Sequence, residues 1–495
     1  MSVRQLRLAL QKPIWRATAP LRTCGRGLRA LATVAGSAQN HKPSNYGQPL
    51  FPSHPHLLKP HELTPGIPAD EYECRRRTLM DSLPSDSLVV LVAAPIKYMS
   101  GTPEPQSSYK FRQASDFWYL TGFEEPDAAV ILEKTSNSRG YRMTLFSSGK
   151  DSAKEKWEGA RTSFEDVVSI FRADDALPIH VFPARLKSLA GIYSNIYIDS
   201  PNASTKRPPR TAKSLLRYLR QPLAPLIAKL RSIKSKREQQ VMRAAADISG
   251  HAFAKTMRFT QPGTSESAIA AHFEYLCSLS GSQRLAYVPV VASGPNALII
   301  HYTSNNQVIQ DGELILVDAG CEYNGYASDI TRTYPASGSF TSAQHDLYTA
   351  VLTAQKALIG QCTETASFTL HELHRRSCDF LRVELNQLGF RLHAGEVERV
   401  LYPHFLSHPI GIDLHESSNF DRGELLKAGM VITIEPGIYV PPLPQFPKNF
   451  HNMGIRIEDE VLVGKEHPMI LSVAAPKEVA DVEGACQGLL GLQPL

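Results

Sequence analysis

A chain of 495 residues is long enough for two domains and a sizeable core, and 42 % hydrophobic with 20 % charged residues is ordinary for a globular protein. The net charge of +5 is concentrated at one end and so does not signal nucleic-acid binding. No apolar run approaches the ~20 residues that cross a bilayer, and the seven cysteines lie scattered without a CxxC, which argues against a zinc knuckle or disulfide framework.

In chain order, residues 1–40 stand apart. No Asp or Glu precedes Glu62, while Arg4, Arg7, Lys12, Arg16, Arg22, Arg26 and Arg29 are spread among Leu, Ala and Trp15. This Arg-rich, acid-free pattern is that of a mitochondrial presequence; Arg16 and Arg22 would interrupt the apolar core of a secretory signal. Setting these seven cations aside leaves the rest of the chain at about −2. Residues 41–68, rich in Pro and His, are expected to form an extended arm rather than a packed element.

Residues 69–215 read as an α/β domain with a mixed sheet. Strand-like runs span Ser87–Pro95, Ala128–Lys134, Tyr141–Gly149 and Ile196–Ile198, with helical stretches at Ser163–Phe171 and Pro183–Leu189. The segment Phe111–Phe123 concentrates aromatics beside charges, as a core edge or an interface would. Polar, Pro-rich Ser200–Lys213 is the best boundary. Residues 222–480 form the second domain and 481–495 a C-terminal tail. Val241, Ala244, Ala245, Ile248 and Ala252 predict a helix over Lys236–Met257. Further helices are expected at Ser265–Leu279, 341–360 and 367–388, and strands at Met430–Val440 and Gly454–Val463. The expected class is α+β.

The second domain is organised around Leu314–Thr333, an apolar strand, an Asn324-Gly325 turn and a return strand. A two-residue turn pairs Tyr323 with Tyr326 and makes Asp318 the diagonal neighbour of Asp329 on one sheet face. Two carboxylates on a half-buried face repel unless a proton or cation lies between them. Three later segments add donors: His408, Glu435 before a Pro-Gly turn, and Arg456 with Glu458 two residues on. One His and four carboxylates are too many acids for one cation but balance two divalent ions. An oxygen-rich set suits Mn²⁺ or a similar ion, and a two-metal clamp polarises a carbonyl and acidifies water.

These residues fall in recognisable words: VDAG and SDITRTYP (Val317 to Pro335), HFLSHPIGIDLHE (His404 to Glu416), TIEPGIY (Thr433 to Tyr439) and GIRIEDEVLV (Gly454 to Val463). The chain resembles the Xaa-Pro aminopeptidase (aminopeptidase P) branch of the metallo-aminopeptidases, over about residues 45–480. The resemblance implies a C-terminal pita-bread fold with an α/β N-terminal domain. It implies Asp318, Asp329, His408, Glu435 and Glu458 as ligands of two divalent ions, Mn²⁺ being the expected metal. Glu435 would double as general base, His301, His404 and His415 would meet the scissile region, and Arg456 would order the site. His371-Glu372-Leu373-His374 lacks the spacing of HExxH and reads as a helix surface; Ser293-Gly294-Pro295 reads as a turn.

Leader and arm together resemble the mitochondrial subgroup that includes the intermediate-cleaving peptidases. That implies removal of one N-terminal residue from imported proteins in the matrix, either free or attached to the inner membrane's matrix face. The alternatives are a general Xaa-Pro aminopeptidase acting on peptides and a non-catalytic protein-binding module; creatinase-like hydrolysis without metal is disfavoured by the filled ligand set. No nucleic-acid partner and no transmembrane segment are expected. A homo-oligomer is implied, with the segment around Trp118 as a contact.

Overall fold

The computed structural model describes residues 43–99, 107–198 and 220–490. The expected presequence, 1–40, and the boundary segment 200–213 lie outside the described residues. Among the described residues, no helix is long and apolar enough to cross a membrane.

The N-terminal sheet has six strands in the order 175–178, 141–147, 129–134, 87–92, 195–198, 220–222. Ser87–Val92 pairs antiparallel with Ala129–Lys134 and parallel with Asn195–Ile198, so the sheet is mixed. Its three central strands, 87–92, 129–134 and 141–147, are near-continuous runs of buried side chains because both faces are covered.

Residues 41–68 are not an unpacked arm. Leu50, Leu58, Leu63 and Ile67 are buried, Glu62–Thr64 pairs with Ile67–Pro68, and Gln48 exchanges hydrogen bonds with the backbone of Gly122 and Glu124. The polar, Pro-rich surface of this stretch conceals four widely spaced apolar side chains. The end of the chain is likewise more than a tail. Val479–Cys486 is a helix whose Val482 and Ala485 are fully buried.

The second half contains four small antiparallel sheets. Long helix Lys236–Phe259 starts with a capping box, Ser235 with Glu238, and crosses the hairpin, where Ser249 bonds both Ser328 and the Cys321 N–H. The close pass between the hairpin strands requires Gly320, since a Cβ there would lie 1.8 Å from the Ser328 carbonyl oxygen. At the tip Asn324 and Gly325 have φ of 49° and 84°, a turn that needs both positive, and Tyr323 pairs with Tyr326 as expected.

That tip is held by the N-terminal region. Trp118 packs edge-on to Tyr326 and abuts Gly325, while Arg75 donates to the Tyr326 hydroxyl. Trp118 is 5 % exposed, so its own ring belongs to the core. One apolar cluster runs through both halves, joining Ile67, Tyr72, Trp118 and Leu223 to Val241, Met242, Tyr326, Ile410, Val431 and Leu462.

The two expected long strands are both broken. Val431–Ile434 pairs with Asp459–Leu462, whereas Gly437–Val440 pairs with Met453–Arg456 in a different sheet. The chain changes sheets at Glu435-Pro436 and again at Ile457-Glu458.

Candidate active site

Three of the four acids sit where a strand is interrupted, and the freed backbone groups bond across sheets. The Asp329 N–H donates to Glu460 Oε1 at 2.8 Å. The Glu435 N–H reaches the Leu406 carbonyl at 3.0 Å and the Glu458 N–H the Thr331 carbonyl at 3.1 Å. Asp318 alone lies within a ladder, between Val290 and Thr331. Leu406–Ile410 runs beside 431–435, with Thr433 N–H on the His408 carbonyl and Ile410 N–H on the Val431 carbonyl, and this sets His408 next to Glu435.

These segments line one cavity of about 870 Å³ that contains Asp318, Asp329, His408, Glu435, Glu458 and Arg456, together with His301, His404 and His415. His408 Nε2 lies 3.2 Å from Asp329 and 3.7 Å from Glu435. One donor atom each from Asp329, His408 and Glu458 lie within 4.8 Å of one another. Arg456, 2 % exposed, donates to Asp318 and to the Tyr439 hydroxyl, each at 2.6 Å, and to Thr331 at 3.0 Å.

Proton affinities report how acidic this cavity is. Burial, with repulsion from Asp329, Glu435 and Asp318, pushes the Glu458 carboxyl well above its ordinary value. Burial also raises Glu435, to about 8, against the pull of His408. Asp318 is raised by burial despite Arg456. Burial acts upward on Asp329 too, but the His408 hydrogen bond outweighs it and the net shift is down. Burial would lower His408, yet Asp329 and Glu435 lift it to about 8.

The donor set fits divalent cations on two grounds. Among the described residues Glu458 Oε1 is buried without a hydrogen-bond partner, and four converging carboxylates with one imidazole form a hard, oxygen-rich set. N/S tetrahedral zinc chemistry would want other residues.

The three flanking histidines differ. His404 is engaged at both nitrogens, Nδ1 with the Phe405 carbonyl at 3.0 Å and Nε2 with the Tyr439 hydroxyl at 2.9 Å. Burial and Arg456 lower it to about 3, so the ring is neutral. Among the described residues no hydrogen bond holds His301 or His415, and both face the cavity. His415 stands edge-on to His408, with ring centroids 4.4 Å apart.

Sequence reasoning missed Tyr287, whose hydroxyl lies 2.5 Å from both Asp318 and Asp329. It missed Thr331 as well, although the period-2 series Asp329, Thr331, Thr333 pointed to it. The HELH segment is no metal site: Glu372 caps its own helix with Thr369, and His374 stacks on Phe405 of the cavity wall.

Fold and cleft define a metallopeptidase, and specifically a metallo-aminopeptidase of pita-bread fold. The chain belongs to metallopeptidase family M24, which residues 240–465 match, and residues 72–197 match the aminopeptidase P N-terminal domain. Membership of this family implies divalent metal ions. The crystal structure of Icp55 from Saccharomyces cerevisiae lacking its N-terminal 58 residues superposes with a TM-score of 0.80 at 39 % identity, covering 87 % of this chain and 100 % of that one. Xaa-Pro aminopeptidase 3 of Rattus norvegicus is 36 % identical over 467 residues, 90 % of this chain and 91 % of that protein. Mitochondrial intermediate cleaving peptidase 55 of Arabidopsis thaliana is 37 % identical over 442 residues, 88 % of this chain and 87 % of that protein.

Proposed function

We propose that this chain is a mitochondrial intermediate-cleaving aminopeptidase that removes a single N-terminal residue from imported proteins after presequence cleavage. The observation that carries the reading is the meeting of four carboxylates and one histidine in a single cavity, with Glu458 Oε1 left unpartnered among the described residues. The acid-free leader and the likeness to intermediate cleaving peptidases support the substrate and the compartment. The reading extends to a homo-oligomer working in the matrix, free or at the inner-membrane face.

Asp318, Asp329, His408, Glu435 and Glu458 would hold two divalent cations, with Mn²⁺ the preferred metal. When bound, such ions acidify water and polarise the scissile carbonyl. Glu435, in a buried cavity that raises its proton affinity, takes the proton of the attacking water and delivers it to the leaving nitrogen. His301 and His415 present open imidazoles to the oxygen on which charge develops. His404, committed to Phe405 and Tyr439, sets the Tyr439 hydroxyl, and Arg456 fixes Asp318 from behind.

A second reading, a general Xaa-Pro aminopeptidase, draws on the comparable identity to Xaa-Pro aminopeptidase 3. Sequencing the N-termini of mitochondrial proteins with and without this enzyme separates the two. One-residue extensions beginning with Tyr, Phe or Leu, whatever follows, are expected in its absence; extensions only before Pro would favour the second reading. An unchanged set of N-termini would refute both.

A further inference from the structure

The loop Pro409–Glu416 joins His408 to His415 and is closed on itself: the Glu416 N–H returns to the Pro409 carbonyl at 3.0 Å, and the Gly411 N–H to the Asp413 carbonyl at 3.1 Å. The Glu416 side chain, 4 % exposed, points inward under the loop and accepts the Asp413 N–H. A Cβ on Gly411 would lie 2.6 Å from its carboxylate oxygens, so any larger residue would have to push this carboxylate aside. With no hydrogen bond on the His415 ring among the described residues, backbone position and the edge-on packing against His408 decide where that imidazole stands.

What fixes the backbone is a buried guanidinium from outside the loop. Arg231, on helix Ala224–Ser232 with its side chain 4 % exposed, binds Glu416 at 2.9 and 3.2 Å, Asp413 at 2.7 Å and Asp116 at 2.6 Å. Lys234 lies 3.6 Å from Glu416. The N-terminal region completes the set. Arg112 donates to the Ile412 carbonyl at 2.8 Å and to Asp413 at 3.1 Å, and Ser115 donates to Asp413 at 2.6 Å. Arg231 and Arg112 thus hold Glu416, Asp413 and Asp116, and Arg112 also binds Glu322 at 2.6 Å.

We propose that Arg231 is a positioning residue for His415, and that the N-terminal region shares this task through Asp116, Ser115 and Arg112. The inference rests on the reading that His415 meets the scissile peptide. A planar fork clamps three carboxylates at fixed angles, which an ammonium cannot do. Loosening the clamp therefore displaces the imidazole while its chemistry stays intact, and a displacement near 1 Å costs about 100-fold in rate.

The test is a kinetic double-mutant cycle on the full-length metal-loaded enzyme, with melting temperature and bound metal measured alongside. Arg231→Lys should lower kcat by about 10- to 100-fold, and Asp116→Asn, at a more exposed position, by about 3- to 10-fold, with KM within about twofold. In a His415→Ala background neither change should lower kcat further, and Asp116→Asn should leave melting temperature and metal content unaltered. If Arg231→Lys does not fold, Asp116→Asn carries the cycle. Losses that multiply with His415→Ala, or full kcat in both single variants, overturn the inference alone. A His415→Ala enzyme with full kcat overturns the role of His415 and this inference with it.

Discussion

Thr331 donates its hydroxyl hydrogen to Glu458 Oε2 at 2.7 Å, and its own Oγ1 accepts the Arg456 Nε–H at 3.0 Å. One small side chain thus satisfies a candidate ligand and the guanidinium that braces Asp318. Thr331→Val keeps the shape and removes both bonds. It should cost about 1–3 kcal/mol in urea unfolding and about 10- to 100-fold in activity. Thr331→Ser should restore most of both; a valine variant with wild-type kinetics would separate Thr331 from the site.

Two roles are proposed for Glu435, ligand and base. Glu435→Gln retains an oxygen donor and the buried volume but cannot take a proton. Turnover should fall by about 10²–10⁴-fold, while circular dichroism and melting remain close to wild type. Steady-state hydrolysis near the wild-type rate would remove Glu435 from the base role.

Dialysis against a chelator should abolish hydrolysis and lower the melting temperature, because four carboxylates are then left facing one another. Returning Mn²⁺ should reverse both effects, with added stability of about 2.7 kcal/mol at 100-fold excess over Kd. Metal analysis of the untreated protein should find close to two divalent ions per chain, from the charge balance of the donor set. A chelated enzyme that keeps both its activity and its melting point would contradict the metal assignment.

Acid should unfold the protein partly through Asp459, which is fully buried and bound by Arg332, Lys477 and Ser472. Burial acts upward on its carboxyl, but the two cations prevail and hold it at about 2. A lowered folded value means stabilisation that is complete above the unfolded value near 3.8 and is lost as pH falls from there towards 2. The loss should be on the order of 2 kcal/mol. Denaturant melts at pH 5 and pH 2.5 should show it, and Asp459→Asn should flatten this dependence while weakening the fold at neutral pH, since Arg332 would be left buried beside an uncharged partner. A pH dependence unaltered in that variant would assign the acid transition to other groups.

Much of the site was legible because its cause is local. The Asn-Gly turn sets the hairpin register, which places Asp318 and Asp329 on one face, and Glu435 announces itself before Pro436. The breaks at Glu435-Pro436 and Ile457-Glu458 were not legible, because an apolar alternating run continues across each and only tertiary pairing shows that its two ends join different sheets. Tyr287 was missed for a similar reason: it lies 31 residues before Asp318 and meets it only through sheet pairing. The arm misled by composition, since Leu50, Leu63 and Ile67 are too far apart to form a period yet all point into the same core.

The apolar cluster that runs through both halves has a consequence for how the chain becomes a protein. Its first members, such as Ile67 and Tyr72, are synthesised long before Ile410, Val431, Leu462 and Leu471, with which they share a core. A chain emerging N-terminus first, from a ribosome or a translocation pore, therefore presents its six-stranded sheet, complete at Pro222, with one apolar flank unclosed until Leu471 has followed. During that interval the flank is open to holdase chaperones and to aggregation. The proposed metal ligands Asp318, Asp329, His408 and Glu435 also precede Glu458, so the candidate cation site is completed at nearly the same moment as the shared core.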